Sequence, residues 1–73
     1  MINNASPNGF MEFIDEQANY FSREFSHFEP FSISDIQRVC CIHYNAARVV
    51  LDRLRKQSLV KKSSELPHKY EFV

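Results

Sequence analysis

Ala47, Val50, Leu51 and Leu54 recur at i, i+3, i+4 and i+7 within the run from Asn45 to Gln57, which builds one apolar stripe along a helix. The opposite side carries Asn45, Arg48, Arg53 and Lys56. Asn45 opens the run and is a good N-cap, because its short side chain can satisfy an amide left unpaired at a helix start. Upstream, Ser34-Asp35-Ile36-Gln37-Arg38-Val39-Cys40 begins with Ser34 and places Gln37 three residues later, the spacing of a capping box. Residues 34–57 therefore predict a short helix, a tight turn and a longer basic helix. That is the helix-turn-helix arrangement, in which the second helix enters the DNA major groove.

The stripe needs partners, and 73 residues leave room for one small domain. Seven Phe and three Tyr supply large rings, which bury more apolar area per residue and argue against a disordered chain. Residues 1–9 are polar, with Pro7 and the single glycine, Gly9, and are expected to form a flexible tail. From Phe10 the pattern turns helical: Phe10, Phe13, Ile14, Ala18, Phe21, Phe25 and Phe28 fall close to one face, with Glu12, Asp15, Glu16, Asn19 and Arg23 off it. This predicts a helix from Phe10 to Ser26, its Phe stripe in the core or partly against a second subunit.

Glu29-Pro30 ends that helix, since the residue before proline is pushed out of the α region. Phe31-Ser32-Ile33 alternates as a short strand would. After Gln57, residues 59–62 read as a strand, 63–68 as a turn and 69–73 as a returning strand. A hairpin directly after a recognition helix is the wing of a winged helix. The expected fold class is small α+β: a winged helix-turn-helix of order α-β-α-α-β-β over residues 10–73. It has three helices and a small antiparallel sheet, with Phe31–Ile33 as third member.

The formal net charge is zero, but the charge is unevenly spread. Residues 1–27 hold Arg23 against Glu12, Asp15, Glu16 and Glu24, a balance of −3. Residues 36–62 hold seven basic residues against Asp52, a balance of +6, which can steer an anionic partner even when the total cancels. The two cysteines, Cys40 and Cys41, are adjacent, so they cannot staple distant parts of a fold and are expected as reduced thiols in a cytoplasmic protein. Cys40 falls on the apolar face with Ile36, and Cys41 is expected to be exposed. No stretch is long and apolar enough to span a bilayer, and the N-terminus lacks the profile of a signal peptide.

The run Ser32-Ile33-Ser34-Asp35-Ile36-Gln37-Arg38, followed by Ile42-His43-Tyr44-Asn45-Ala46-Ala47, resembles the gamma domain of FtsK-type DNA translocases. A pattern close to S-I-S-x-L-Q-R-x-x-x-I-G-Y-N-R-A recurs there. It continues through an Asp and a Leu matching Asp52 and Leu54 to an Ile-Val matching Leu59-Val60. The resemblance spans about thirty residues without a gap. It implies a winged helix that reads short, polar DNA elements through its second motif helix, with Asn45 at the start of the reading helix. Ala46 stands where the family has Arg, Arg48 where Ala is usual, and His43 where the turn has glycine. The resemblance thus implies DNA binding with a different target sequence. The chain lacks a GxxxxGK[ST] phosphate loop and is not itself expected to be a motor.

Asn45, Arg48, Val49 and Asp52, with Ala46 beside them, are the candidate base-reading residues. Arg pairs with guanine O6/N7, Asn with adenine N6/N7, and an exposed Val touches a thymine methyl. A solvated face with an Arg48–Asp52 ion pair explains the same residues, but has no use for an exposed Val49. Arg53, Lys56, Lys61, Lys62 and Lys69 are candidate phosphate contacts, or ordinary surface cations. Ser34 and Gln37 offer donors to a phosphate but also cap their helix. Tyr44 either packs in the turn or bonds a phosphate. Zinc needs about four ligands in paired spacing, which Cys40, Cys41 and His43 do not provide, so no metal or cofactor is expected. No activated nucleophile or carboxylate pair suggests an enzyme. The partner expected is double-stranded DNA, bound by a transcriptional regulator acting as a homodimer through the first helix or the Phe25–Phe31 segment. The alternative is a protein-interaction module that docks a partner on the acidic, aromatic first helix.

Overall fold

The computed structural model describes residues 7–73 and contains three helices and a two-stranded antiparallel sheet, a small α+β fold. The elements are α1 (Pro7–Glu24), α2 (Ile33–Cys40), α3 (Tyr44–Lys56), β1 (Val60–Lys62) and β2 (Tyr70–Phe72). Of the expected flexible tail, residues 1–6 lie outside the described residues, while Pro7 and Gly9 belong to the first turn of α1. A proline is tolerated there because its missing N–H would have no intrahelical partner. At the other end α1 stops at Glu24, two residues short of the expected Ser26, and Phe25 makes the last helical bond, to the Phe21 carbonyl at 2.9 Å.

Ile14, Ala18 and Phe21, at i, i+4 and i+7, form the buried face of α1. The expected Phe stripe is narrower than the sequence suggests. Phe25 is half-buried, whereas Phe10, Phe13 and Phe28 keep 48%, 39% and 98% of their surface exposed. Phe13 points away because it lies one residue, about 100° of helix, from Ile14. Phe28 comes after the helix has ended, in the turn before Pro30.

Two overlapping Ser-x-x-acceptor spacings compete at the start of α2. The capping box forms on Ser32 and Asp35, and not on Ser34 and Gln37 as expected. The Asp35 carboxylate accepts the Ser32 backbone N–H at 2.9 Å. The earlier register has an electrostatic advantage: it places a charged carboxylate, and not a neutral Gln, at the third helical position, where it accepts the N-cap amide at the positive end of the helix dipole. Ile33 becomes helical as a result, and the expected Phe31–Ile33 strand shrinks to one antiparallel bridge, Phe31 with Tyr70. Its two hydrogen bonds, 2.8 and 2.7 Å, tie the segment before α2 to the hairpin.

Between α2 and α3 the chain turns in three residues. Cys41 takes the left-handed conformation (φ 56°) that closes α2, with its N–H bonded to the Gln37 carbonyl. His43, and not Asn45, is the N-cap of α3, its carbonyl accepting the Ala47 N–H at 2.9 Å. Asn45 is therefore inside the first turn with its side chain exposed. Ala47, Val50, Leu51 and Leu54 are buried, as the stripe requires.

The end of α3 is a Schellman-type stop. Ser58 is left-handed (φ 61°), its N–H reaches the Arg55 carbonyl at 2.9 Å, and Leu59 N–H reaches the Leu54 carbonyl at 3.0 Å. The chain then enters β1, which pairs with β2 in the register Val60–Phe72, Lys61–Glu71, Lys62–Tyr70. Both strands are shorter than expected: β1 leaves out Leu59, and β2 leaves out Lys69 and Val73. Between the strands, the Ser63 hydroxyl oxygen accepts the amides of Glu65 and Leu66 at 3.3 and 3.1 Å, folding the loop.

Phe21 and Phe31 are the largest fully buried side chains, with ring centroids 5.0 Å apart edge to face. Phe72 joins them, 5.3 Å from Phe31, and His27 stacks on Phe72 at 4.1 Å. Emptying the space of one such ring costs about 3–5 kcal/mol, a large share of what a small domain has. This cluster locks α1, the inter-helix segment and the hairpin together around α3.

Candidate functional site

With Ala47, Val50 and Leu54 turned into the core, helical geometry leaves Asn45, Arg48, Val49, Asp52 and Arg55 on the other side of α3. These five residues line one open groove, closed at its sides by Tyr44, Ile33 and Tyr70. Arg48 lies with its guanidinium carbon 6.0 Å from the centre of the Tyr44 ring, and Arg55 lies 5.6 Å from that of Tyr70. Both distances suit cation–π attraction, which holds the guanidiniums at the groove walls while leaving their N–H groups available. Val49, expected to be exposed, is half-buried: it packs against the core while still lining the groove, so packing alone gives an apolar residue a use there.

The Arg48–Asp52 ion pair of the alternative, solvated-face reading does not form. Among the described residues, carboxylate–cation pairs within 4.0 Å are Asp35–Arg38 and Asp15–Arg53. Arg53 therefore plays a different part from the phosphate contact expected of it. Its Nε stands 2.8 Å from Asp15 Oδ1 of α1, both atoms shielded from water but off the angle of a hydrogen bond. The pair links α1 to α3 by charge. Next to it Lys56 lines a second hollow with Met11, Val49, Asp52 and Arg53.

A third hollow adjoins the start of α2, lined by Ser32, Ile33, Ser34, Tyr44, His68 and Tyr70. Ser34 is exposed there, without the capping role assigned to it. Gln37 is half-buried, and its carbonyl receives the Cys41 and Ile42 amides in the turn. Burial alone would raise the Asp35 carboxyl, but the Ser32 N–H, Arg38 and the charge of Lys69 outweigh it and hold its pKa below the ordinary carboxylate value. Lys69, whose charge acts on Asp35 without a direct ion pair, is half-buried. Lys61 and Lys62 stand exposed on β1, and Ala46 is half-buried outside all three hollows.

The structure brings together Tyr44, Asn45, Arg48, Val49 and Asp52 of the expected site, and adds Arg55, Tyr70 and Ile33. Arg55 was legible: it lies seven residues after Arg48, two turns further along the same face. Tyr70 was not, because only the hairpin fold returns it to α3.

Cys40 is half-buried with its thiol 3.6 Å from the Gln17 carbonyl, and burial together with the neighbouring Cys41 raises its pKa. Cys41 is exposed, and both are free thiols. Among the described residues no group of three or more His, Cys, Asp or Glu is placed to hold a metal ion, and no helix is long and apolar enough to cross a membrane. Comparison of the chain with protein-family models, curated proteins and solved structures gives no match.

Proposed function

We propose that this chain is a winged-helix module that binds double-stranded DNA with sequence preference, as a transcriptional regulator does. In this reading α3 enters the major groove and the β1–β2 hairpin is the wing. One observation carries it: Arg48 and Arg55 flank Asn45, Val49 and Asp52 in a single groove, and neither arginine is paired with a carboxylate. Unpaired guanidiniums held on tyrosine rings are suited to guanine edges and phosphates. Lys56 on α3 and Lys61 and Lys62 on β1, all exposed, supply the cations for phosphate attraction. A module this small reads few base pairs, so useful specificity comes from two copies on repeated half-sites.

The test is a titration with random and selected duplexes at two salt concentrations, for wild type and Arg48→Ala. Wild-type affinity is expected to fall steeply with salt, because releasing counterions into a more concentrated solution gains less. Arg48→Ala is expected to narrow the gap between selected and random DNA by about 1–3 kcal/mol. Absence of binding to either duplex at low salt would end this reading.

A second reading rests on α1. Phe10, Phe13 and Tyr20 are part-exposed, and Glu16, three residues after Phe13 and four before Tyr20, shares their face. With Glu12 and Glu24 exposed nearby, this row suits a basic, apolar helix of a protein partner. Such binding would survive Arg48→Ala and be lost on Phe13→Ala, the reverse of what DNA reading requires.

A further inference from the structure

Asp52 is an odd residue for a surface facing DNA. It lines the same groove as Arg48 and Arg55, and Lys56 joins it along the adjoining hollow. Arg48 and Lys56 lie one helical turn to either side of it, and Arg55 three residues on. Yet none of these cations stands within 4.0 Å of its carboxylate among the described residues. Asp15 of α1 shows the alternative, a carboxylate drawn into a 2.8 Å pair with Arg53. An unpaired carboxylate at the centre of a basic groove opposes the approach of phosphates. For sequence-independent binding it is a defect.

We infer that Asp52 selects cytosine, and that Arg48 and Asp52 together read guanine and cytosine edges within one base-pair step; the inference rests on the DNA-reading role proposed above. The chemistry of the two side chains is complementary. Arg is donor-only, and guanine presents two acceptors, N7 and O6, in the major groove. An ionised Asp is acceptor-only, and cytosine presents the N4 amino donor with no acceptor beside it. Adenine sets its N6 donor beside the N7 acceptor, which repels a carboxylate, and thymine offers no donor at all. Side chains four residues apart on a helix have Cβ atoms about 5–6 Å apart, a span comparable to one or two stacked base pairs. Because the carboxylate also repels phosphates, it favours its target mostly by penalising every other sequence.

The experiment is selection from a randomised duplex library by wild type, Arg48→Ala, Asp52→Ala and Asp52→Asn, with anisotropy titrations of random duplex in parallel. Asp52 is exposed and mid-helix, so circular dichroism is expected to report intact folds. Three results are expected. Asp52→Ala keeps the guanine preference, loses about tenfold of discrimination at one cytosine, and binds random duplex several-fold tighter. Asp52→Asn moves that position from cytosine towards adenine, since Asn presents both a donor and an acceptor. Arg48→Ala loses the guanine and keeps the cytosine. An unchanged selected sequence in both Asp52 variants, with all DNA bound uniformly tighter, overturns the inference and leaves Asp52 as a repulsive charge only. A wild type that selects no sequence overturns the DNA-reading role itself.

Discussion

Asp35 shows how one side chain settles a local choice. It accepts the Ser32 amide, pairs with Arg38 and feels the charge of Lys69 from the hairpin, so the start of α2 and the hairpin both act on one carboxylate. With its pKa lower folded than unfolded, it gives its full stabilisation above the ordinary carboxylate value of about 4 and loses it as pH falls through the lower folded value. Asp35→Ala is expected to cost about 1 kcal/mol at neutral pH, typical of a lost helix-start interaction. Urea denaturation of both proteins at a series of pH values measures it, and the gap should close towards acid. A gap that stays constant down to about pH 2 would mean that the ionised carboxylate has no part in it. Cys41 and Ser58 show the opposite case, residues in conformations that suit glycine better. Each is left-handed, at φ 56° and 61°, without being Gly or Asn.

At the scale of elements, Ser58 matters because it turns α3 into the hairpin. Ser58→Gly removes a Cβ from a left-handed backbone and is expected to raise stability by up to about 1 kcal/mol, read as a shift in the urea midpoint at unchanged slope. A lower midpoint would show that the turn depends on the serine side chain. The buried face of α3 was legible from the sequence, because Ala47, Val50, Leu51 and Leu54 obey a strict helical repeat. The starts of α2 and α3 were not. Ser32 and Ser34 both precede a capping acceptor, and only the charge on Asp35 and the pull of Phe31 towards Tyr70 choose between them. Likewise Asn45 looks like a cap, but a turn of only three residues after Cys40 brings the helix start forward to Tyr44. The Phe stripe of α1 failed at Phe10, Phe13 and Phe28, since counting rings along a face does not say where that face has something to pack on. In the groove, periodicity along α3 found Asn45, Arg48, Val49 and Asp52, whereas Ile33 and Tyr70 arrive through contacts distant in the chain.

For the whole molecule, the two ends of the charge distribution sit on different surfaces: Glu12, Glu16 and Glu24 exposed on α1, and Arg48, Arg55 and Lys56 exposed on α3. Pairing through α1 by a two-fold axis would set these acids against each other, which leaves Phe28, 98% exposed beyond the helix end, as the better contact between copies. Sedimentation with duplex DNA is expected to show two copies per duplex, reduced to one by Phe28→Ser. One wild-type copy per duplex at every concentration would rule the pairing out. The placement of the tyrosines has a use of its own. The chain has three Tyr and no Trp, and two of the three, Tyr44 and Tyr70, form walls of the groove beneath Arg48 and Arg55. The intrinsic ultraviolet emission of the protein thus comes mainly from its own candidate site, with Tyr20 on α1 as a built-in reference, and occupancy can be followed optically without attaching a label.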